Sequence, residues 1–126
     1  MKLQNSLFTI VSHTVTENRH DFNIRLDAEH FIYKAHFPGE PITPGVCIMQ
    51  MALELMEEAV EKPLEVKCVK NVKFLRIISP QELTEVCYTL QQLTIEENVV
   101  KCQITASAGE YVYAKLSLIC EEISQN

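Results

Sequence analysis

The stretch VVKCQITASA, residues 99–108, alternates strictly. Val100, Cys102, Ile104, Ala106 and Ala108 fall on one face, and Lys101, Gln103, Thr105 and Ser107 on the other. A period of two marks a strand with one buried face. YVYAKLSLIC repeats the pattern with Val112, Ala114, Leu116, Leu118 and Cys120, and Gly109-Glu110 predicts a tight hairpin between the two. TEVCYTLQQLTIEEN predicts a strand before them, turning near Glu97-Asn98, so these three strands should form an antiparallel meander. LFTIVSHTV and HDFNIRLDA predict two more, the second with Phe22, Ile24 and Leu26 inward, and VKCVKNVKFLRI a sixth with a Lys-rich solvent face.

Only one segment, from about Val46 to Lys62, predicts a helix. Pro44-Gly45 opens it and Pro63 stops it. Val46, Met49, Leu53, Met56 and Val60 form an apolar stripe at helical spacing. Ile48, Met51, Ala52, Leu55 and Ala59 carry apolar contact almost all round, which predicts a helix buried on nearly every side. One such helix with five or six antiparallel strands predicts an α+β fold, a single domain over residues 1–126 with the sheet wrapped around the helix.

Composition narrows the function classes. A formal charge of −6 argues against general nucleic-acid binding, which needs a basic face. Five dispersed cysteines with no C-x-x-C pair predict reduced, mostly buried thiols and a cytoplasmic setting. No run is long and apolar enough for a membrane span, and MKLQNSLFTIVSH lacks the apolar core of a signal peptide. His13, His20 and His30 share no metal-ligand spacing with His36 or the cysteines, so neither metal nor cofactor is expected.

The candidate chemistry lies in HFPGEPITPGVCIMQMALEL, residues 36–55. The first N–H groups of a helix lack internal partners and carry the positive end of its dipole. Gly45, without a Cβ, lets a ligand approach that backbone closely, so a carbonyl placed there would be polarised. His36, on the same Pro-rich loop, is the side-chain type best suited to moving protons near neutral pH. Beside a greasy helix, the pair suits an acyl carbonyl with an apolar tail.

His36 to Val46, H-F-P-G-E-P-I-T-P-G-V, resembles the signature of the 3-hydroxyacyl-acyl carrier protein dehydratases. NVKFLRIISPQEL, residues 71–83, is similar to that family's second recognisable stretch. The resemblance implies the hotdog fold, an antiparallel sheet around one central helix. It implies that His36 removes the C2 proton of a 3-hydroxyacyl thioester and that the Gly45 N–H binds the thioester carbonyl. Phe37, Pro44, Val46 and Cys47 would line the substrate site, Cys47 as wall rather than nucleophile. The implied substrates are thioesters of acyl carrier protein or coenzyme A. Homodimers or higher oligomers with shared sites are implied too, His36 of one protomer facing Gln50 and Glu54 of the other.

The sequence departs from that family at one place. The acid expected fourteen residues after the histidine is Gln50, and the usual acid-then-glutamine order four apart is reversed, Gln50 preceding Glu54. An amide cannot act as general acid. Three roles are open to the pair: Glu54 supplies the acid from one turn below; His36 acts alone while Gln50 orients the hydroxyl; or Glu54 joins the exposed Glu57/Glu58 side and catalysis is weak or absent. Two other function classes stand beside the dehydratase, a hotdog thioesterase and a non-catalytic acyl-binding or partner subunit. Lys67, Lys70, Lys73 and Arg76, with Lys34 beside them, are candidates for docking an acidic carrier, against the plainer reading of a solvated strand face.

Overall fold

A computed structural model describes residues 2–36 and 39–124. The chain runs β1 (Phe8–Thr16), β2 (Arg19–Leu26), α1 (Phe31–Ala35), α2 (Gly45–Val60), β3 (Leu64–Phe74), β4 (Glu85–Glu96), β5 (Val99–Ala108) and β6 (Tyr111–Glu122). All six strands join one antiparallel sheet in the order β1-β2-β4-β5-β6-β3. The expected meander is present as β4-β5-β6. Gly109, at φ 61°, supplies the left-handed backbone of the last hairpin, and Glu97, at φ 56°, the preceding one.

The alternation read from sequence sorts the sheet correctly. Phe22, Ile24, Val100, Ile104, Leu116 and Leu118 are buried on the inner face and meet Met51, Ala52, Leu55 and Met56 of α2.

The helix differs from expectation in three respects. It ends at Val60, two residues early, because Glu61 turns into the left-handed region (φ 57°) and gives its N–H to the Glu57 carbonyl. Its fully buried residues are Cys47, Ile48, Met51, Ala52, Glu54, Leu55 and Met56, whereas Val46, the first residue of the expected stripe, is 58% exposed. Met49, Leu53, Ala59 and Val60 pack partly buried against the core, so the helix is covered on nearly every side, as expected, with Val46 and Glu58 left to solvent. A second, short helix, α1, is also present. Its five residues are too few for a periodic signal, and the His30 ring that caps it accepts the Ile32 N–H at 3.1 Å. His30 is therefore a helix cap.

Both edge strands, β1 and β3, have one free flank. On and after β3, Val69, Val72, Phe74, Leu75 and Ile77 are exposed.

Candidate functional site

The loop before α2 is fastened on both sides. Thr43, buried, takes part in a 2.9 Å hydrogen bond between its Oγ1 and the Tyr33 hydroxyl of α1, and its N–H donates to the Ile78 carbonyl at 2.8 Å. One residue thereby ties the histidine-bearing α1, the start of α2 and the segment after β3. Tyr88, fully buried, donates its hydroxyl to the Ile48 carbonyl at 3.1 Å and steadies the first turn from the sheet side.

At the start of α2, the Cys47 and Ile48 N–H groups donate to the Pro44 carbonyl. The N–H groups of Gly45 and Val46 have no acceptor among the described residues. Beside them opens a groove of about 280 Å³. Ile42, Thr43, Gly45 and Ile48 form one wall, and Phe74 to Ile78 the other. A Cβ on Gly45 would come within 2.9 Å of the Phe74 ring, so the ring covers this end of the helix closely. The groove joins unpaired backbone donors to an apolar trough, an arrangement that can polarise a carbonyl and hold an alkyl chain.

The expected site residues divide. Gly45 lines the groove and Pro44 is the helix cap beside it. Val46 points to solvent. Cys47 is 1% exposed and belongs to the core rather than the groove wall. Burial pushes its thiol above the ordinary value. His36 is exposed at the end of α1, its N–H on the Ile32 carbonyl, and does not line the groove of its own chain. Phe37 lies outside the described residues.

Glu54 is the largest surprise. Only 3% exposed, it does not share the solvent-facing side of the exposed Glu58. Its Oε2 accepts the Leu3 N–H at 2.7 Å and the Gln50 side-chain amide at 2.9 Å, and its Oε1 accepts the Gln4 N–H at 2.7 Å. The carboxylate is thus a clasp between α2 and the segment leading into β1, and Gln50 stands between it and the upper turn of the helix.

The basic residues do not form one patch. Lys67 is paired with Glu65 at 3.4 Å, and the Arg76 guanidinium lies 4.2 Å over the Tyr111 ring at the groove's edge. Lys34 is exposed in the last turn of α1. Lys70 and Lys73 point to the outer face of the sheet, since they pair with Ser117 and Lys115 between the inward Ala114, Leu116 and Leu118.

Phe74, Thr43 and Tyr33 were missed by the sequence reading. Phe74-Leu75-Arg76-Ile77-Ile78 breaks the alternation of β3 with a nearly continuous apolar run, the one signal that pointed to a groove wall. His13 and His20 were also missed as a pair. They meet across the β1-β2 hairpin at 2.9 Å and stack on Phe22, and no third metal-ligating side chain joins them among the described residues.

Comparison with known proteins agrees with this architecture. The chain is 29% identical to the 3-hydroxyacyl-(acyl-carrier-protein) dehydratase FabZ of Latilactobacillus sakei over 97 residues, covering 71% of this chain and 69% of that one. Against FabZ of Levilactobacillus brevis it is 26% identical, covering 76% and 67%. The dehydratase heterocomplex ApeI:P from Xenorhabdus doucetiae shares the fold with TM-score 0.70 at 11% identity, over 90% of this chain and 96% of that one. So does thioesterase HI1161 from Haemophilus influenzae, with TM-score 0.67 at 14% identity, over 94% and 80%. These likenesses establish the hotdog fold expected from the sequence. The model of the ApeI-like family, described as ApeI dehydratase, matches residues 12–114. The chain belongs to the ApeI-like dehydratase family.

Proposed function

We propose that the protein is a dehydratase-like lyase that converts a 3-hydroxyacyl thioester into a trans-2-enoyl thioester, with the acyl group delivered by acyl carrier protein or coenzyme A. The observation that carries this reading is the opening of the Gly45 and Val46 N–H groups beside an apolar groove. The thioester carbonyl lies against those donors and the acyl chain runs between Ile48 and Phe74. Polarisation of the carbonyl acidifies the C2 proton, and His36 removes it. The C3–O bond then breaks, the C2=C3 double bond forms, and the proton leaves with the hydroxyl as water.

Glu54 is not the acid in this reading. Both of its oxygens already accept main-chain N–H groups. His36 therefore returns the proton itself, and Gln50 orients the leaving hydroxyl. Because His36 does not reach the groove of its own chain, a second copy supplies it. The exposed Val46, Phe74, Leu75 and Ile77 surround the groove, and β3 has a free edge, so a partner copy would cover apolar surface there.

The test is turnover of 3-hydroxyacyl thioesters, followed by enoyl absorbance, on the parent and His36→Ala. Loss of about 10²-fold or more in His36→Ala, with unchanged melting, is expected for an acid–base group. Thiol release without enoyl formation would replace this reading by hydrolysis. Inactivity alone, coupled with co-purification of a second hotdog chain, would replace it by a partner-subunit role.

A further inference from the structure

The outer face of the sheet carries a second polar feature, separate from the groove. Cross-strand rows are set by the register. Lys70 stands beside Ser117, then Gln103, then Gln91, while Lys73 stands beside Lys115, then Thr105. Lys101 pairs with Ile119 one row further on. These residues line two adjoining depressions of about 310 and 350 Å³, and neither contains an acidic side chain.

Four exposed lysines thus surround a floor of amides and hydroxyls. None of the four has an ion-pair partner among the described residues. The nearest acids are Glu96 and Glu97, which line a neighbouring depression together with Thr94 and Lys101, then Asp21, already occupied by Arg19 and the Thr89 hydroxyl, and Glu121, beyond Ile119. Lys73 and Lys115 face each other directly, an arrangement of like charges that costs stability. Two bulges shape the rim. Asn71, at φ 54°, interrupts β3, and Gln92, at φ 52°, interrupts β4, and both line these depressions. In a chain of net charge −6, a local cluster of unpaired cations is the opposite of what general solubility requires.

We propose that this lysine-rimmed outer face binds an acidic protein surface, its carboxylates on Lys70, Lys73, Lys101 and Lys115 and its backbone or amide groups on the polar floor. A nucleic acid fits less well: the rim and floor offer no aromatic ring for a base to stack on, and the rest of the chain repels a uniform polyanion. A lipid surface fits less well too, because the rim offers no aromatic or aliphatic wedge. The site stands independently of the dehydratase reading, because its test is binding.

A short fluorescein-labelled glutamate-rich peptide serves as probe, with anisotropy measured at low and high salt. Against the parent are set Lys73→Glu/Lys115→Glu and a control with the same charge change, Lys2→Glu/Lys62→Glu. The expected result is a roughly 10-fold or greater weakening in the first variant and a shallower salt dependence, with the control within about 2-fold of the parent. Equal weakening in both variants would overturn the site, as would undetectable binding by the parent at low salt. Tighter binding of a duplex DNA oligonucleotide or of phosphatidylglycerol vesicles than of the peptide would overturn the assignment to protein. Circular dichroism on each variant confirms that a loss reflects the surface and not the fold.

Discussion

The Glu54 carboxylate holds the Gln50 amide at 2.9 Å while clasping the N–H groups of Leu3 and Gln4. A residue that resembles a displaced catalytic acid is thereby a structural clasp between segments some fifty positions apart. The same contact assigns the Gln50 amide: the nitrogen must face the carboxylate, because a carboxylate offers only acceptors.

Breaking that clasp should be costly. Glu54→Ala leaves two inward N–H groups without partners, and a loss of about 2–4 kcal/mol is expected. In a chain of this size that lowers the melting temperature by roughly 10 °C. The discriminating measurement is a double-mutant cycle with removal of residues 1–4. If the two losses simply add, Glu54 does not act through Leu3 and Gln4.

Gly45 and Phe74 should be coupled in the same way. Glycine inside a helix costs about 0.5–1 kcal/mol relative to alanine, so Gly45→Ala ought to stabilise α2. The new methyl would press on the Phe74 ring at 2.9 Å and cancel that gain. In a Phe74→Ala background the obstruction is gone, and Gly45→Ala is expected to raise stability by about 0.5–1 kcal/mol. Chemical denaturation of the four proteins decides it; the same sign in both backgrounds would contradict the packing.

Tyr33→Phe removes the hydroxyl that meets Thr43 in the core. The expected cost is about 1–2 kcal/mol, since the Thr43 hydroxyl is left buried with one partner fewer. Turnover should fall further than stability explains, because in the proposed arrangement this bond fixes α1, and with it the His36 offered to the second copy's groove. Turnover unchanged in a folded Tyr33→Phe protein would show that the tie does not serve His36.

The buried thiols set an alkaline limit. Burial pushes Cys102 up to about 12 and Cys120 up to about 11, from an ordinary value of 9.0. The unfolded thiols ionise first as pH rises, so the contribution is complete below pH 9 and is lost progressively as pH climbs from there toward 12. Cys102→Ala should lower stability at pH 8 yet flatten its decline above pH 9 by up to ~1.4 kcal/mol per pH unit. Parallel curves for parent and variant would contradict the burial of a neutral thiol. At neutral pH, alkylation should reach Cys68 and Cys87 while Cys47, Cys102 and Cys120 wait for unfolding.

Much of this fold was legible because a strand with one wet face writes its burial directly into alternate residues, as Val100 to Ala108 do. The helix was legible in place and largely in burial: Met49 and Leu53 pack partly buried beside Met51, Ala52 and Leu55, and of the apolar residues read for it Val46 alone is left to solvent. Gly45 could be read because missing a Cβ is itself the signal. The fate of Glu54 could not, since its partners are main-chain N–H groups, and Leu3 and Gln4 carry no side-chain trace of that role. Likewise Lys67, Lys70, Lys73 and Arg76 look like one run in sequence, yet strand alternation and a bulge send them to different surroundings.

The sheet order has a temporal side. β3, whose end continues into the groove wall from Phe74 to Ile78, has no neighbour in the sheet except β6, reached only after β4 and β5 have been laid down between them. Pairings across such separations carry a loop-closure cost before they return any stabilisation. As the chain is made, the helix start and its Gly45 donors exist early, and the wall opposite them waits for Ala114 to arrive beside Phe74. A nascent chain therefore presents an open helix end with apolar neighbours, and the protein is safest from misassociation only once β6 has closed it.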